Sequence, residues 1–599
     1  MTAIRSLCSI TKSPVRLFAK YSFALALVFC AAFSASAQQP APAFTQIVLF
    51  GDSLSDTGNV RVRTNQTSNG LVDYPSQTFN YSNGRFTNDN ETDPATDMYL
   101  GVWHEQLAQT FLGIPPATQS SLNGGTNYAF GGATTNNGTH DEVAVSTPFG
   151  DVTITIDDIG KQMDDYLASH AIDPAALYIV WGGGNDIRND DSAANVTATV
   201  ARVTALVTRL INAGAQYIMV PNIPPVGNIP RYLSDPLTVI SKNTASANYR
   251  HELNASLDTL VADFAAEGVT PAIYRPDVWL NTTRLFALPP RFGFTNTSSS
   301  AQDGDVDPDQ YLFWDDVHPT TAGHYQIAKL AYESITLPPA PVSKALNIST
   351  RLFVDTGERA PIAGFVVTGD VPKRVLIRGI GPSLAASGVP TPLADPTLTL
   401  FDASGKPLRT NNNWRDSQPA EIIATGIPPQ NDLESAIVTT LSAGPYTARL
   451  TGQNGGTGNA LIEVYDLEPN SGSVLANLST RGFVGTGNNV MIGGIIIGEG
   501  DNPLLVLRAL GPSLANSGIT NPLLDPTLAL HDGNGGLIFL NDDWTDIDIQ
   551  AVAATLLYPT DEREAAFVAA FLPPGSYTAI VGGKAGATGV ALVEAYRVP

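Results

Sequence analysis

Ser53 sits at an abrupt change in the character of the chain. The apolar run Ile47-Val48-Leu49-Phe50 stops at Gly51-Asp52-Ser53, and the small polar residues Ser55, Asp56, Thr57, Gly58 and Asn59 follow. Such a pattern lifts a hydroxyl from the end of a strand into a turn, where it can attack. A free hydroxyl is a weak nucleophile and needs a base and an oxyanion site. His318, in Asp315-Asp316-Val317-His318-Pro319, can take the Ser53 proton and return it to a leaving group. Asp315, three residues earlier, reaches the other imidazole nitrogen if the segment makes a single turn, and so sets tautomer and orientation. Pro319 suits the start of a helix, where a missing N–H is tolerated.

The elements that must position these groups follow from periodicity. Short apolar runs over 45–50, 176–181, 216–221 and 270–274 read as strands. Amphipathic stretches over 98–112, 156–170, 193–213, 245–266 and 320–334 read as helices. Strands alternating with helices predict a parallel sheet covered on both faces. The Asn-, Thr-, Ser- and Gly-rich stretch between Gly58 and Asp97 reads as a long loop able to wall a pocket.

Beyond the proline-rich segment 338–345, helical periods give way to short apolar runs with many Gly and Pro. The chain then repeats itself at a spacing of 130 residues: Asn347 to Arg351 returns as Asn477 to Arg481, Arg378 to Leu384 as Arg508 to Leu514, and Asp395 to Leu398 as Asp525 to Leu528. Late in the unit the spacing becomes 131, with Glu463 returning as Glu594. Units of this size predict two β-sandwich-like modules, 346–468 and 474–599. Trp414 and Trp544 read as core residues, and the repeated charges as turn caps.

Residues 1–37 carry Arg5, Lys12, Arg16 and Lys20, a short apolar stretch and Ala35-Ser36-Ala37, which together read as a secretory signal peptide. Both cysteines, Cys8 and Cys30, fall in it, so the exported chain would hold no disulfide. The expected location is extracellular, periplasmic or cell-surface, with no later transmembrane segment. With 33 basic and 56 acidic residues, the formal charge is −23. That balance argues against nucleic acid and anionic membrane partners.

Four motifs resemble the GDSL esterases and lipases of the SGNH hydrolase superfamily. They are Phe50-Gly51-Asp52-Ser53-Leu54-Ser55-Asp56, Asn127-Tyr128-Ala129-Phe130-Gly131-Gly132-Ala133, Trp181-Gly182-Gly183-Gly184-Asn185-Asp186 and Trp314-Asp315-Asp316-Val317-His318-Pro319. Asn83-Gly84-Arg85-Phe86-Thr87-Asn88 is similar to a further family segment. The resemblance covers residues 44–337 and implies a three-layer α/β/α domain with a parallel sheet. It implies a triad of Ser53, His318 and Asp315, with an oxyanion hole from Ser53, Asn185 and Gly132 or its neighbour Gly131. Asp316 stands where the family usually has a small residue, which leaves two adjacent carboxylates to compare.

The implied reaction is hydrolysis of a carboxylic ester through an acyl-enzyme on Ser53, without metal or organic cofactor. Substrates of this class are small-molecule, lipid or acylated-glycan esters. An acyltransferase or thioesterase would use the same triad, and the C-terminal modules raise the alternative of a surface adhesion or glycan-binding protein with an ancillary esterase domain. His104, His140, His170, His251, His324 and His531 lack a partner pattern and read as core or surface residues. The alternating Asp303, Asp305, Asp307 and Asp309 lack the Gly and terminal Glu of a calcium loop and read as solvated.

Overall fold

A computed structural model describes residues 39–88, 99–147, 150–302, 304–338, 344–501, 503–546 and 549–598. The segment read as a signal peptide, Met98, Asp303 and residues 339–343 of the linker lie outside them. The chain divides into two compact units, one carrying Ser53 and the other carrying both repeats.

The first unit is built on a parallel sheet of β1 (Ile47–Gly51), β4 (Leu177–Trp181), β5 (Tyr217–Met219) and β6 (Ala272–Tyr274), in that order. Successive side chains of a strand point to opposite faces, so each strand feeds two cores. Val48, Phe50, Tyr178, Val180 and Ile218 enter one cluster. Ile47, Leu49, Leu177, Ile179, Trp181 and Met219 enter the other. The helices α1 (Asn59–Thr67), α3 (Ile159–Ser169), α5 (Ala193–Ala213) and α6 (Pro236–Ala266) supply apolar residues to the first cluster. Helices α2 (Trp103–Gln106), α7 (Val278–Ala287) and α8 (Thr321–Thr336) supply the second. The result is the three-layer α/β/α arrangement with a parallel sheet that the alternating pattern predicts. Helix α4 (Gly184–Asn189) follows β4, and β7 (Asn296–Ser300) pairs with β8 (Tyr311–Phe313) ahead of α8.

Two local readings change. The stretch after Gly58 opens with helix α1 rather than loop. Asp56 explains why: its carboxylate accepts from the main-chain N–H groups of Gly58, Asn59 and Val60 and so caps the helix start. The helix read over 156–170 begins only at Ile159, because β2 (Thr139–Thr147) and β3 (Gly150–Asp157) form an antiparallel hairpin that extends to Asp157.

In the second unit the two repeats share one continuous antiparallel sheet. Ala345–Val354 pairs with Gly458–Asp466 of its own repeat and with Met491–Ile497 of the other. Val474–Val484, its duplicate, pairs with Gly589–Val598 and with Ile362–Thr368. Equivalent residues meet: the hydroxyls of Thr350 and Thr480 lie 2.8 Å apart. Each repeat therefore borrows a strand edge from its copy about a pseudo-two-fold axis, and the cores merge into one cluster. The repeated Arg-x-x-Gly-Pro-Ser segment is a clamped turn. Buried Glu434 accepts from Gly381 N, Ser383 N and the Ser383 hydroxyl, and Glu564 does the same for Gly511 and Ser513. Arg378 pairs with Glu463 and Arg508 with Glu594. Trp414 is buried beside Leu376, Ile422 and Val438, whereas Trp544 is half-buried against Tyr558.

Candidate active site

β1 delivers Ser53 to the carboxyl end of the sheet, where the chain turns sharply. Asp52 holds that turn: its main-chain carbonyl accepts from Ser55 N and Asp56 N, and its carboxylate accepts from Leu54 N. Beneath it, Trp103 Nε1 donates to the Ser55 hydroxyl at 3.0 Å, and His104 Nε2 lies 3.0 Å from the Ser55 carbonyl. Gln162 clamps the last β1 residue, exchanging two 2.9 Å bonds with the Gly51 main chain. These contacts hold the turn that carries Ser53.

The Ser53 hydroxyl meets His318. Ser53 Oγ lies 2.8 Å from His318 Nε2, and His318 Nδ1 lies 2.7 Å from Asp315 Oδ2. The segment between Asp315 and His318 makes a single turn, closed by Val317 N and His318 N donating to Asp315 Oδ1 at 2.7 and 2.6 Å. Burial alone would raise the Asp315 pKa. The His318 ring and these main-chain donors outweigh it and hold the carboxyl well below the usual range. Asp316, the adjacent carboxylate, is exposed and forms a two-bond pair with Arg231 at 2.8 and 3.0 Å. Geometry therefore gives Asp315 to the imidazole and Asp316 to the surface.

The base loop is braced from outside. Phe86 lies 5.0 Å from the His318 ring. The Thr87 hydroxyl donates to the Pro319 carbonyl, and Asn88 Oδ1 accepts from Thr321 N at the start of α8. Arg85 pairs with the buried Glu105. The segment Asn83 to Asn88 thus ties the α2 layer to the His318 loop, a role its residue types alone did not reveal.

Gly131 and Gly132 separate cleanly. Gly131 N donates to Asp56 Oδ2 at 3.0 Å, so it is engaged. Gly132 N and Ser53 N have no acceptor among the described residues. Gly132 has φ +85, a backbone conformation that favours glycine, and its main chain lies against the Glu142 carboxylate. Asn185, 7% exposed, stands in the first turn of α4. Its Nδ2 donates to the Ala133 carbonyl and its Oδ1 accepts from Arg188 Nη1 at 2.8 Å, which fixes the amide orientation and leaves one Nδ2 proton free to donate. Asp186 holds the neighbouring loop by accepting from Thr135 N and its hydroxyl, backed by Arg202.

Two cavities meet at the Ser53 and His318 side chains. One is a narrow apolar slot of about 100 Å³ walled by Ile223, Pro224, Val226, Ile229, Leu285, Phe286, Phe313 and Ile327. The other is a roomier polar chamber of about 490 Å³, lined by Tyr74, Tyr81, Phe86, Gly132, Glu142, Arg188, Arg231 and Gln302. Glu142 comes from the β2–β3 hairpin, and its place over the site follows from that hairpin's fold rather than from any motif. Burial pushes Asp52 and Asp56 up to about 6. His324, in α8, is fully buried with neither ring nitrogen bonded, and burial pushes it down to about 3. It lies outside the residues lining both cavities.

The fold and this line of side chains define a class: an α/β/α domain with a strand-end serine, a histidine from a loop leading into a helix, and a paired aspartate. Residues 47–331 match the family model described as GDSL-like lipase/acylhydrolase. A Pseudomonas putida protein named "Uncharacterized protein in trpE-trpG intergenic region" is 30% identical over 362 residues, covering 55% of this chain and 53% of that protein. Lipase 1 of Photorhabdus luminescens is 31% identical over 231 residues, 37% of this chain and 28% of the other. The chain thus spans about half, or less, of the length of these relatives. A crystal structure of a lipolytic G-D-S-L family member from Veillonella parvula covers 48% of this chain and 96% of its own, at 13% identity and a TM-score of 0.24.

Proposed function

We propose that this chain is a serine ester hydrolase that forms an acyl-enzyme on Ser53. The observation that carries this reading is the 2.8 Å contact between Ser53 Oγ and His318 Nε2 at the junction of the slot and the chamber. His318 takes the Ser53 proton as the hydroxyl attacks the ester carbonyl. Ser53 N, Gly132 N and Asn185 Nδ2 stabilise the oxyanion, each donor contributing about 10²–10³ in rate. The alcohol leaves with the proton from His318, and water activated by the same base then frees the acid. The narrow apolar slot suits an unbranched acyl chain, and the polar chamber suits the alcohol.

The test is a set of p-nitrophenyl esters of graded chain length, with a branched pivalate, run on wild type and Ser53→Ala. Cleavage of the unbranched esters, lost by about 10⁴-fold or more in Ser53→Ala, is expected. Full activity in the variant overturns the mechanism. An added alcohol that captures most of the acyl group would place the protein with acyltransferases instead.

The leader over residues 1–37 supports export, and the C-terminal unit is proposed to hold the enzyme at a surface or polysaccharide. Support comes from a groove of about 480 Å³ lined by Arg378, Glu463, Tyr465 and Ser383 from one repeat and by Tyr577 and Thr578 from the other. Co-sedimentation of the full chain with insoluble polysaccharides tests it.

A further inference from the structure

The polar chamber holds a charge that the proposed hydrolysis does not use. The Glu142 carboxylate packs directly on the main chain of Gly132, with Oε2 2.0 Å from the point a Cβ would occupy. Among the described residues the Glu142 carboxylate has no ion pair or hydrogen bond. Of the other charges in the chamber, Asp315 is bonded to His318, Arg231 is neutralised by Asp316, and Arg188 is turned to Asn185 where the chamber meets the slot. A carboxylate beside an oxyanion donor opposes the negative charge that develops there, since like charges at short range repel. Its position becomes favourable when the substrate itself brings a positive group alongside it.

The rest of the chamber fits such a group. Tyr74 and Phe86 meet edge to face with centroids 5.7 Å apart, and Tyr81 stands 6.5 Å from Phe86. The field of Glu142, after burial, helps to raise the Tyr74 pKa, which places the two side chains within electrostatic reach. Aromatic faces next to a carboxylate hold a quaternary ammonium well, because that cation needs no hydrogen-bond acceptor and is weakly hydrated.

We propose that the chamber recognises esters of a cationic, choline-type amino alcohol, with Glu142 and the half-buried ring of Tyr74 taking the ammonium group. The proposal rests on the esterase reading of Ser53. It is tested with butyrylcholine and its neutral isostere 3,3-dimethylbutyl butyrate, which share acyl chain and shape and differ in charge. Wild type is expected to favour the choline ester in kcat/KM by about two- to fivefold, as an exposed cation site typically allows. In Glu142→Gln this ratio falls toward one, and in Glu142→Lys it drops below one. A wild-type ratio at or below one, or a ratio unchanged in Glu142→Gln, overturns the proposal. Ser53-dependent cleavage of p-nitrophenyl butyrate with such a ratio leaves the esterase reading intact, whereas Ser53-independent cleavage removes both.

Discussion

Tyr81 donates its phenolic hydrogen to Asp315 Oδ2 over 2.8 Å, across 234 residues of chain. The same oxygen lies 2.7 Å from His318 Nδ1, so the phenol and the imidazole share one acceptor. The Asp315 field and hydrogen bond, added to burial, hold the Tyr81 phenol protonated far above its ordinary range. Tyr81 is therefore a permanent donor that locks the carboxylate in place.

Removing that donor separates positioning from binding. Tyr81→Phe is expected to lower kcat about tenfold with little change in KM for an unbranched p-nitrophenyl ester, since a hydrogen bond to a charged group contributes about 1.5–3 kcal/mol. A raised KM at unchanged kcat would instead make Tyr81 a wall of the substrate site.

The two adjacent aspartates give opposite results. Asp315→Asn is expected to lower kcat about 10³–10⁴-fold, because the amide no longer holds the imidazole in the required tautomer. Asp316→Asn breaks only an exposed pair with Arg231, an interaction of about 0.2–1 kcal/mol, and should stay within about threefold of wild type. Reversed effects in steady-state kinetics would exchange their roles.

Asn185→Ala tests the oxyanion site. Its loss is expected to cost about 10²–10³ in kcat with modest change in KM, because the amide donates only to the charge that develops on the carbonyl oxygen. Equal loss in KM would show that it binds ground-state substrate.

Asp52 makes a pH prediction. Burial raises its pKa from 3.8 to about 6, offset in part by Leu54 N and the nearby His318 and Arg188. A carboxyl whose folded pKa is raised favours the folded state while protonated, and that benefit is lost as pH rises from about 4 through 6. Asp52→Asn should therefore gain about 1–3 kcal/mol in urea unfolding at pH 7.5 and almost nothing at pH 3.5. An equal gain at both values would exclude the charge as its origin.

The shared sheet of the C-terminal unit predicts how one repeat behaves alone. Residues 344–471 expressed by themselves lack the partner strand Met491–Ile497, leaving the edge of Ala345–Val354 open. They are expected to fold as a dimer that restores the Thr350 contact with a second copy, as read by size-exclusion chromatography with light scattering. A folded monomer would contradict the shared architecture.

Much of the first unit was legible because local rules govern it. Strands that are apolar on both faces and helices with one apolar stripe announce a covered parallel sheet. Ser53, Asp315 and His318 stand out because a nucleophile at a strand end and a base beside Pro319 each carry a local signature. The hairpin of residues 139–157 lacked one: it is largely exposed, and its alternation is weak around Glu142 and Val143. Asp56 capping α1 was likewise hidden, since aspartate in a polar stretch reads as any turn former.

By itself the sequence determined the sheet, the Ser53 and His318 motifs and the duplication, since these follow from periodicity, spacing and self-similarity along the chain. Tertiary structure alone decided which neighbour serves. Gly132 is free where Gly131 is bonded, and Asp315 faces the imidazole where Asp316 faces Arg231. It also set Tyr81 on Asp315, Glu142 against Gly132, and each repeat's first strand against the other repeat. The reason is physical: hydrogen bonds and charges act over a few ångströms of space, and folding brings together groups that hundreds of residues separate.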